Sequence, residues 1–153
     1  MTAKLRHIAL SVPDPEQAAQ FYESVFGLKR VGRTDSPLAS GVYLSDGYIN
    51  IALLKYKTDE MAGTKDGKDW VGTHHFGFQV DDPDAVKDKI EAQGGTFFMD
   101  LPALKETLYY EEKYRDPAGV IFDISEKGWV VDTAADKAEK AKTAKVDKEL
   151  AKA

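Results

Sequence analysis

HIALSV, at residues 7–12, and HFGFQV, at residues 75–80, are two copies of one pattern that decides the fold of this chain. In each copy the apolar residues occupy every second position, which is the period of a β-strand. After one further residue, each copy is followed by an Asp-Pro pair and then by a helical pattern. An internal repeat indicates two copies of one supersecondary unit, so we predict a chain of two similar halves.

Each copy directs one histidine away from its apolar face. Alternate side chains of a strand point to opposite faces, so His7 faces away from Ile8 and Leu10. His75 holds the matching place in the second copy. A single strand histidine is most simply structural, but two at equivalent places of a repeat favour a pair of metal ligands.

The helices and strands follow the same order in both halves. The first predicted helix begins at Asp14 or Pro15 and ends near Gly27, and the second covers residues 83–93. The predicted strands are residues 5–12, 28–33, 42–44 and 48–55 in the first half, and 74–80, 96–99, 107–115 and 120–125 in the second. The order strand-helix-strand-strand-strand therefore occurs twice, which indicates an α+β fold.

Composition and turn signals divide the chain into four parts. Residues 1–57 and 73–131 are the two modules. Residues 58–72 are polar, contain glycines and form a predicted linker. Residues 132–153 are rich in Ala and Lys and lack a strong apolar stripe, so we interpret them as a solvated extension, either helical or frayed.

The composition also excludes several classes of function. Of the 153 residues 42% are hydrophobic and 31% charged, as in soluble globular proteins. The absence of cysteine excludes disulfides, thiolate metal sites and cysteine nucleophiles. A net charge of −5 argues against a nucleic-acid surface, and no apolar run is long enough to span a membrane. We expect a cytoplasmic protein without nucleic-acid or membrane partners.

The doubled order, the two histidine strands and the ending DPAGVIFDI (116–124) resemble the vicinal oxygen chelate superfamily. This superfamily includes glyoxalase I, fosfomycin-resistance enzymes, methylmalonyl-CoA epimerase, extradiol dioxygenases and bleomycin-binding proteins. The resemblance covers residues 4–128. It implies two tandem βαβββ modules forming a cupped mixed β-sheet with helices on the outer face. Whether the modules pair within one chain or across a dimer stays open.

The resemblance also implies a metal site in the cup, with His7, His75 and Asp123 as ligands. Strand parity agrees, because Asp123 lies between the apolar residues Phe122 and Ile124 and faces the other way. Two histidines and a carboxylate suit Fe, Mn, Ni or Zn as divalent ions. Two departures stand out. The family ligand on the last strand is usually Glu, and glyoxalase I has a fourth ligand, also Glu, where this chain has Asn50 or Ala52.

Other polar residues are expected to serve the same cup. Glu111 and Glu112 are candidate catalytic residues, because one of two consecutive strand residues must face the cup. The candidate substrate-binding residues are Tyr43, Asn50, Gln79 and Tyr110.

We therefore expect a divalent-metal-dependent enzyme of this superfamily, acting on a small substrate with neighbouring oxygens. The chemistry is expected to be dioxygenase-like or glyoxalase/lyase-like, and the three-ligand set favours dioxygenase-like or other three-ligand chemistry over that of glyoxalase I. A first alternative is a metal-free module that binds a bleomycin-type antibiotic. A second is an isomerase resembling methylmalonyl-CoA epimerase. In each case the partner is a small molecule, and a homodimer is expected.

Overall fold

The first strands of the two halves, β1 (Lys4–Ser11) and β5 (Gly72–Gln79), lie side by side in the computed structural model, which describes residues 2–152. The first half continues with α1 (Pro15–Phe26), β2 (Lys29–Asp35), β3 (Ala39–Ser45) and β4 (Asn50–Tyr56). The second half continues with α3 (Pro83–Ala92), β6 (Thr96–Asp100), β7 (Glu112–Arg115) and β8 (Ile121–Ser125). A short helix, α2 (Asp59–Ala62), lies in the linker, and α4 (Ala134–Leu150) follows β8.

All eight strands form one mixed sheet in the order β2-β3-β4-β1-β5-β8-β7-β6. β1 runs parallel to β4, and β5 runs parallel to β8 in the same way. The halves join through the antiparallel pairing of β1 with β5. The predicted α+β class and doubled module are confirmed. Because both halves pair within one chain, the cup forms without a second copy.

The two long helices of the modules begin and end where the sequence predicts. Asp14 accepts hydrogen bonds from the backbone N–H groups of Glu16 and Gln17, both at 3.0 Å. Asp82 caps α3 in the same way. Such caps satisfy N–H groups that have no partner within the helix. Gly27 ends α1 with a φ of 69°, a left-handed conformation that glycine adopts without strain.

Apolar side chains pack between these helices and the outer face of the sheet. In the first half, Ala19 of α1 packs with Val42 and Leu53 of the sheet. In the second half, Val86 and Ile90 of α3 pack against a buried cluster that includes Ile124. The opposite face of the sheet carries both repeat histidines, beside a second buried apolar cluster that includes Ala9, Ala52 and Leu54.

One predicted strand is wrong over part of its length. Residues 107–111 do not extend β7, which begins only at Glu112. Thr107 Oγ1 instead donates to the Leu104 carbonyl oxygen at 2.7 Å, and Thr107 Oγ1 in turn accepts the Tyr109 N–H at 3.1 Å. Local hydrogen bonds of this kind compete with strand pairing. Residues 101–111 form a loop, and its Leu101, Leu104 and Tyr109 help to line the cup.

The C-terminal extension forms the helix that its composition predicts. Thr133 and Asp136 make a reciprocal capping box at the start of α4, and the body of the helix is exposed to solvent. Within residues 2–152, none of the helices has the length and apolar character needed to cross a membrane.

Candidate metal centre

The register between β1 and β5 brings the two repeat histidines together. His7 lies opposite Gly77, and His75 lies opposite Ala9. Each imidazole therefore has a small residue across from it, which lets the rings lean toward each other over the sheet. Their centroids are 5.4 Å apart, and both residues are buried.

Asp123 completes the group from the neighbouring strand. It pairs with Gly77 across the parallel β5–β8 ladder, on the cup face. Its Oδ2 lies 3.1 Å from His75 Nε2, and the residue has no solvent exposure. One potential ligand atom from each of the three residues lies within 4.8 Å of the others.

The hydrogen-bond partners of His7 assign its tautomer. Asn50 donates from Nδ2 to the Val130 carbonyl oxygen at 2.7 Å, so its Oδ1 is the atom that meets His7 Nδ1, at 2.9 Å. An amide oxygen only accepts, so His7 Nδ1 carries the proton. The lone pair of the neutral ring is then on Nε2. Asn50, a predicted substrate-binding residue, is fully buried and hydrogen-bonds His7.

His75 reaches the same tautomer through different neighbours. His74 Nε2 lies 2.7 Å from the Ala62 carbonyl oxygen and must donate to it, which leaves His74 Nδ1 as an acceptor. That atom lies 2.8 Å from His75 Nδ1, so the His75 proton is on Nδ1. Nε2 of His75 again carries the lone pair. Ligand histidines in metalloproteins are oriented by such partners.

The cation beside these acceptors is Lys113, which the sequence interpretation did not single out. Its Nζ lies 3.0 and 2.9 Å from the two carboxylate oxygens of Asp123 and 3.3 Å from His75 Nε2. It also donates to Glu111 Oε1 at 2.8 Å. Lys113 is only 4% exposed. An ammonium group only donates, so this contact favours a lone pair on His75 Nε2, whereas Asp123 Oδ2 at 3.1 Å from the same nitrogen only accepts.

Burial sets the protonation of the centre. It lowers the pKa of His7 and holds the pKa of His75 well below its ordinary value. Burial also opposes the charge of Lys113, but the carboxylates of Asp123 and Glu111 raise the pKa of that amine above its usual range. At neutral pH both histidines are therefore neutral and the lysine is charged.

Trp129 closes one side of the centre. Its indole stacks on the His7 ring, with centroids 4.7 Å apart and planes at 10°, and its Nε1 donates to Glu111 Oε2 at 2.7 Å. A Cβ on Gly77 would lie 2.5 Å from the indole. Gly77 is therefore the residue that lets Trp129 approach the sheet.

The centre borders a small cavity. Glu111, His7 and His75 line it together with Tyr43 and the 101–111 loop. Its volume is about 30 Å³, which is room for about two water molecules.

A divalent metal fits this donor set. Two imidazole lone pairs and a carboxylate converge, and ligands at about 2.0–2.2 Å from one ion lie up to about 4.4 Å apart. The observed limit of 4.8 Å needs a small closing movement, and Lys113 Nζ must move away from Asp123 and His75.

The model of the Glyoxalase/Bleomycin resistance protein/Dioxygenase superfamily matches residues 4–124. The chain belongs to this superfamily. No curated protein matches it by sequence.

Solved structures share the superfamily fold at low sequence identity. A hypothetical protein from Bacillus halodurans C-125 has 20% identity and a TM-score of 0.65, covering 88% of this chain and 99% of its own. A methylmalonyl-CoA epimerase in complex with methylmalonyl-CoA and NH4+ has 19% identity and a TM-score of 0.64, covering 81% and 94%. The epimerase from Mycobacterium tuberculosis has 19% identity and a TM-score of 0.62, covering 78% and 85%.

The register settles which first-half residue corresponds to Asp123 in the superfamily fold. Asp123 pairs with Gly77, two residues after His75, and the residue that pairs with Ala9, two after His7, is Ala52. Ala52 therefore holds the first-half position, and it offers no ligand atom. Although Asp123 is one methylene shorter than the usual Glu, its carboxylate still comes within 3.1 Å of His75.

Three of the predicted site residues lie away from the cavity. Glu112 points to the helix side, where it pairs with Lys87 Nζ at 2.8 Å. Tyr110 donates to Asp100 at 3.1 Å, beyond the rim. Gln79 donates to the Glu126 carbonyl oxygen at 3.2 Å.

Glu111 and Tyr43, in contrast, do line the cavity. Strand parity separates Glu111 from Glu112, and the loop ahead of β7 turns Tyr110 outward.

Lys113 could have been found from the sequence, but Trp129 could not. The turn at residues 116–119 fixes the hairpin register, which places Lys113 directly opposite Asp123. Trp129 follows β8 in a segment without periodicity, so no pattern places it over His7.

Proposed function

We propose that this chain is a divalent-metal-dependent enzyme of the superfamily, acting on a small substrate with neighbouring oxygens. One observation carries the proposal. His7 and His75 are held in the same tautomer by unrelated partners, so that both lone pairs are available beside a buried carboxylate, Asp123. Two imidazole nitrogens and a carboxylate that converge in this way are a donor set that divalent metals bind.

His7, His75 and Asp123 would hold Fe, Mn, Ni or Zn, with positions left open for substrate oxygens. A metal bound there would supply Lewis-acid polarisation of those oxygens. Tyr43 and the 101–111 loop, which wall the cavity, exclude water from the reacting atoms.

Glu111 would act as the general base that removes a proton from the substrate. Its two carboxylate oxygens are fixed by Trp129 Nε1 and Lys113 Nζ, and the residue lines the cavity. A positioned carboxylate next to polarised oxygens suits removal of a proton from the adjacent carbon. This placement favours lyase or isomerase chemistry over the dioxygenase-like chemistry that the ligand count alone suggested. The structural likeness to methylmalonyl-CoA epimerases supports the isomerase form.

The test is metal binding by chelator-treated protein, measured by calorimetry with Mn²⁺, Ni²⁺ and Zn²⁺. We expect binding at a single site that His75→Ala abolishes. Thr73→Ala, an exposed change on the same strand, is the matched control and should bind as the wild type does. Equal binding by His75→Ala would contradict the proposal. No uptake by the wild type would favour the metal-free antibiotic-binding alternative.

A further inference from the structure

Lys113 lies where a metal held by this centre would compete with it. Its Nζ is within 3.0 Å of both oxygens of Asp123 and 3.3 Å from His75 Nε2. These are the atoms that a metal would need, and the ammonium lies within 3.3 Å of each of them. A divalent ion at the same place would be repelled by that charge at close range in a buried site.

We propose that Lys113 is an internal cation that holds the centre together without metal, and that a metal binds only by displacing it. This inference rests on the proposed function, because it concerns the same three ligands. It adds that the chain's own ammonium sets the strength of metal binding. The centre is therefore a weaker metal site than its ligands alone would make.

The placement of Lys113 is built into the sheet. Its Cα is the direct partner of Asp123 in the β7–β8 ladder, so its side chain must enter the cup. The corresponding residue of the first half is Tyr43, which pairs with Ala52 and carries no charge. The second half thus supplies both the acid and its counter-cation.

A displaced ammonium has a second partner at hand. Glu111 accepts from Lys113 Nζ at 2.8 Å and lines the cavity, beyond the three ligands. Lys113 can release Asp123 and His75 while keeping this ion pair. The exchange therefore leaves no charged group without a partner.

The test measures the affinity for Ni²⁺ and Zn²⁺ by calorimetry on chelator-treated full-length protein. Lys113→Met removes the ammonium, and Lys113→Gln does so while keeping a donor for Asp123, in case the first variant folds poorly. We expect both variants to bind each metal at least about tenfold more tightly than the wild type. Lys113→Arg keeps the charge and should show no gain. Lys140→Met, which removes an exposed ammonium on α4, is the matched control.

The outcomes separate this inference from the proposed function. Tighter binding by the neutral variants, with no gain for arginine, supports the internal cation. Measurable binding that is equal in all variants overturns it and leaves the metal-dependent enzyme standing. An absence of metal binding in the wild type and in every variant overturns the proposed function and, with it, the role of Lys113 as an internal cation.

Discussion

The two halves of the chain share a backbone plan but carry different chemistry. In the first half, the cup-facing pair on neighbouring strands is Tyr43 and Ala52. In the second half, the same two places hold Lys113 and Asp123. Both halves supply a histidine at the equivalent place, but only the second half supplies charged residues, Lys113 and Asp123. At these two places, the first half therefore contributes uncharged side chains and the second half contributes the charged ones.

The halves also differ in how they fix their histidines. His7 is oriented by Asn50, which is itself held by the backbone after β8. His75 is oriented by His74, which is held by the linker helix α2 through Ala62. Both supports include a segment outside the repeated strands and helices. The repeat alone therefore brings the imidazoles together but does not decide which nitrogen faces the site.

Removing the acid of the charged half should have the largest effect. Asp123→Ala leaves Lys113 buried with only Glu111 as a carboxylate partner, so we expect a loss of about 3–5 kcal/mol in the free energy of unfolding. Urea denaturation measures this loss. Asp35→Ala, which breaks the exposed pair with Lys57, should cost less than about 1 kcal/mol. Similar losses of unfolding free energy for the two variants would show that the buried ion pair of the second half contributes no more than an exposed one.

Removing the support of the first histidine should cost less. Asn50→Ala leaves all three ligands in place but frees His7 to adopt the other tautomer. We expect metal affinity to fall by about 10–100-fold, as for other residues that orient ligands. Calorimetry with Ni²⁺ checks this. An unchanged affinity would show that Asn50 does not orient His7.

A smaller effect is expected where the halves meet at Gly77. A methyl group in Gly77→Ala would meet the Trp129 indole and the Cβ of His7. Overpacking of this kind costs about 1–3 kcal/mol, which thermal or urea unfolding will measure. The cost should fall when the change is made in a Trp129→Ala background. An equal cost in both backgrounds would show that Trp129 is not what the glycine accommodates.

The smallest effect is expected outside the two halves. Thr133→Ala removes the cap of α4 and should destabilise that helix locally by about 1 kcal/mol. Hydrogen exchange of the α4 amides should accelerate, while the affinity for Ni²⁺ stays the same. A change in metal affinity would show that the extension takes part in the site.

The sequence predicts the parts of this molecule that depend on local pattern. Strand alternation and the Asp14 and Gly27 signals are enough to place the modules, the two histidines and the face that carries Asp123. Pattern does not predict contacts made by irregular segments. Thr107 turns the chain away from β7, and Trp129 reaches His7 from a loop, because tertiary packing decides both. The hydrogen bond from Asn50 to the Val130 carbonyl oxygen spans 80 residues of sequence, so no local pattern predicts it.

The most direct test is the tautomer of each of the three histidines. Long-range ¹H–¹⁵N correlation spectra of imidazole-labelled protein, recorded without metal at neutral pH, distinguish a proton on Nδ1 from one on Nε2. We predict a proton on Nδ1 for His7 and His75, and on Nε2 for His74, which serves as the internal contrast. A proton on Nε2 of either His7 or His75 would contradict the account, since that ring would have no lone pair facing Asp123.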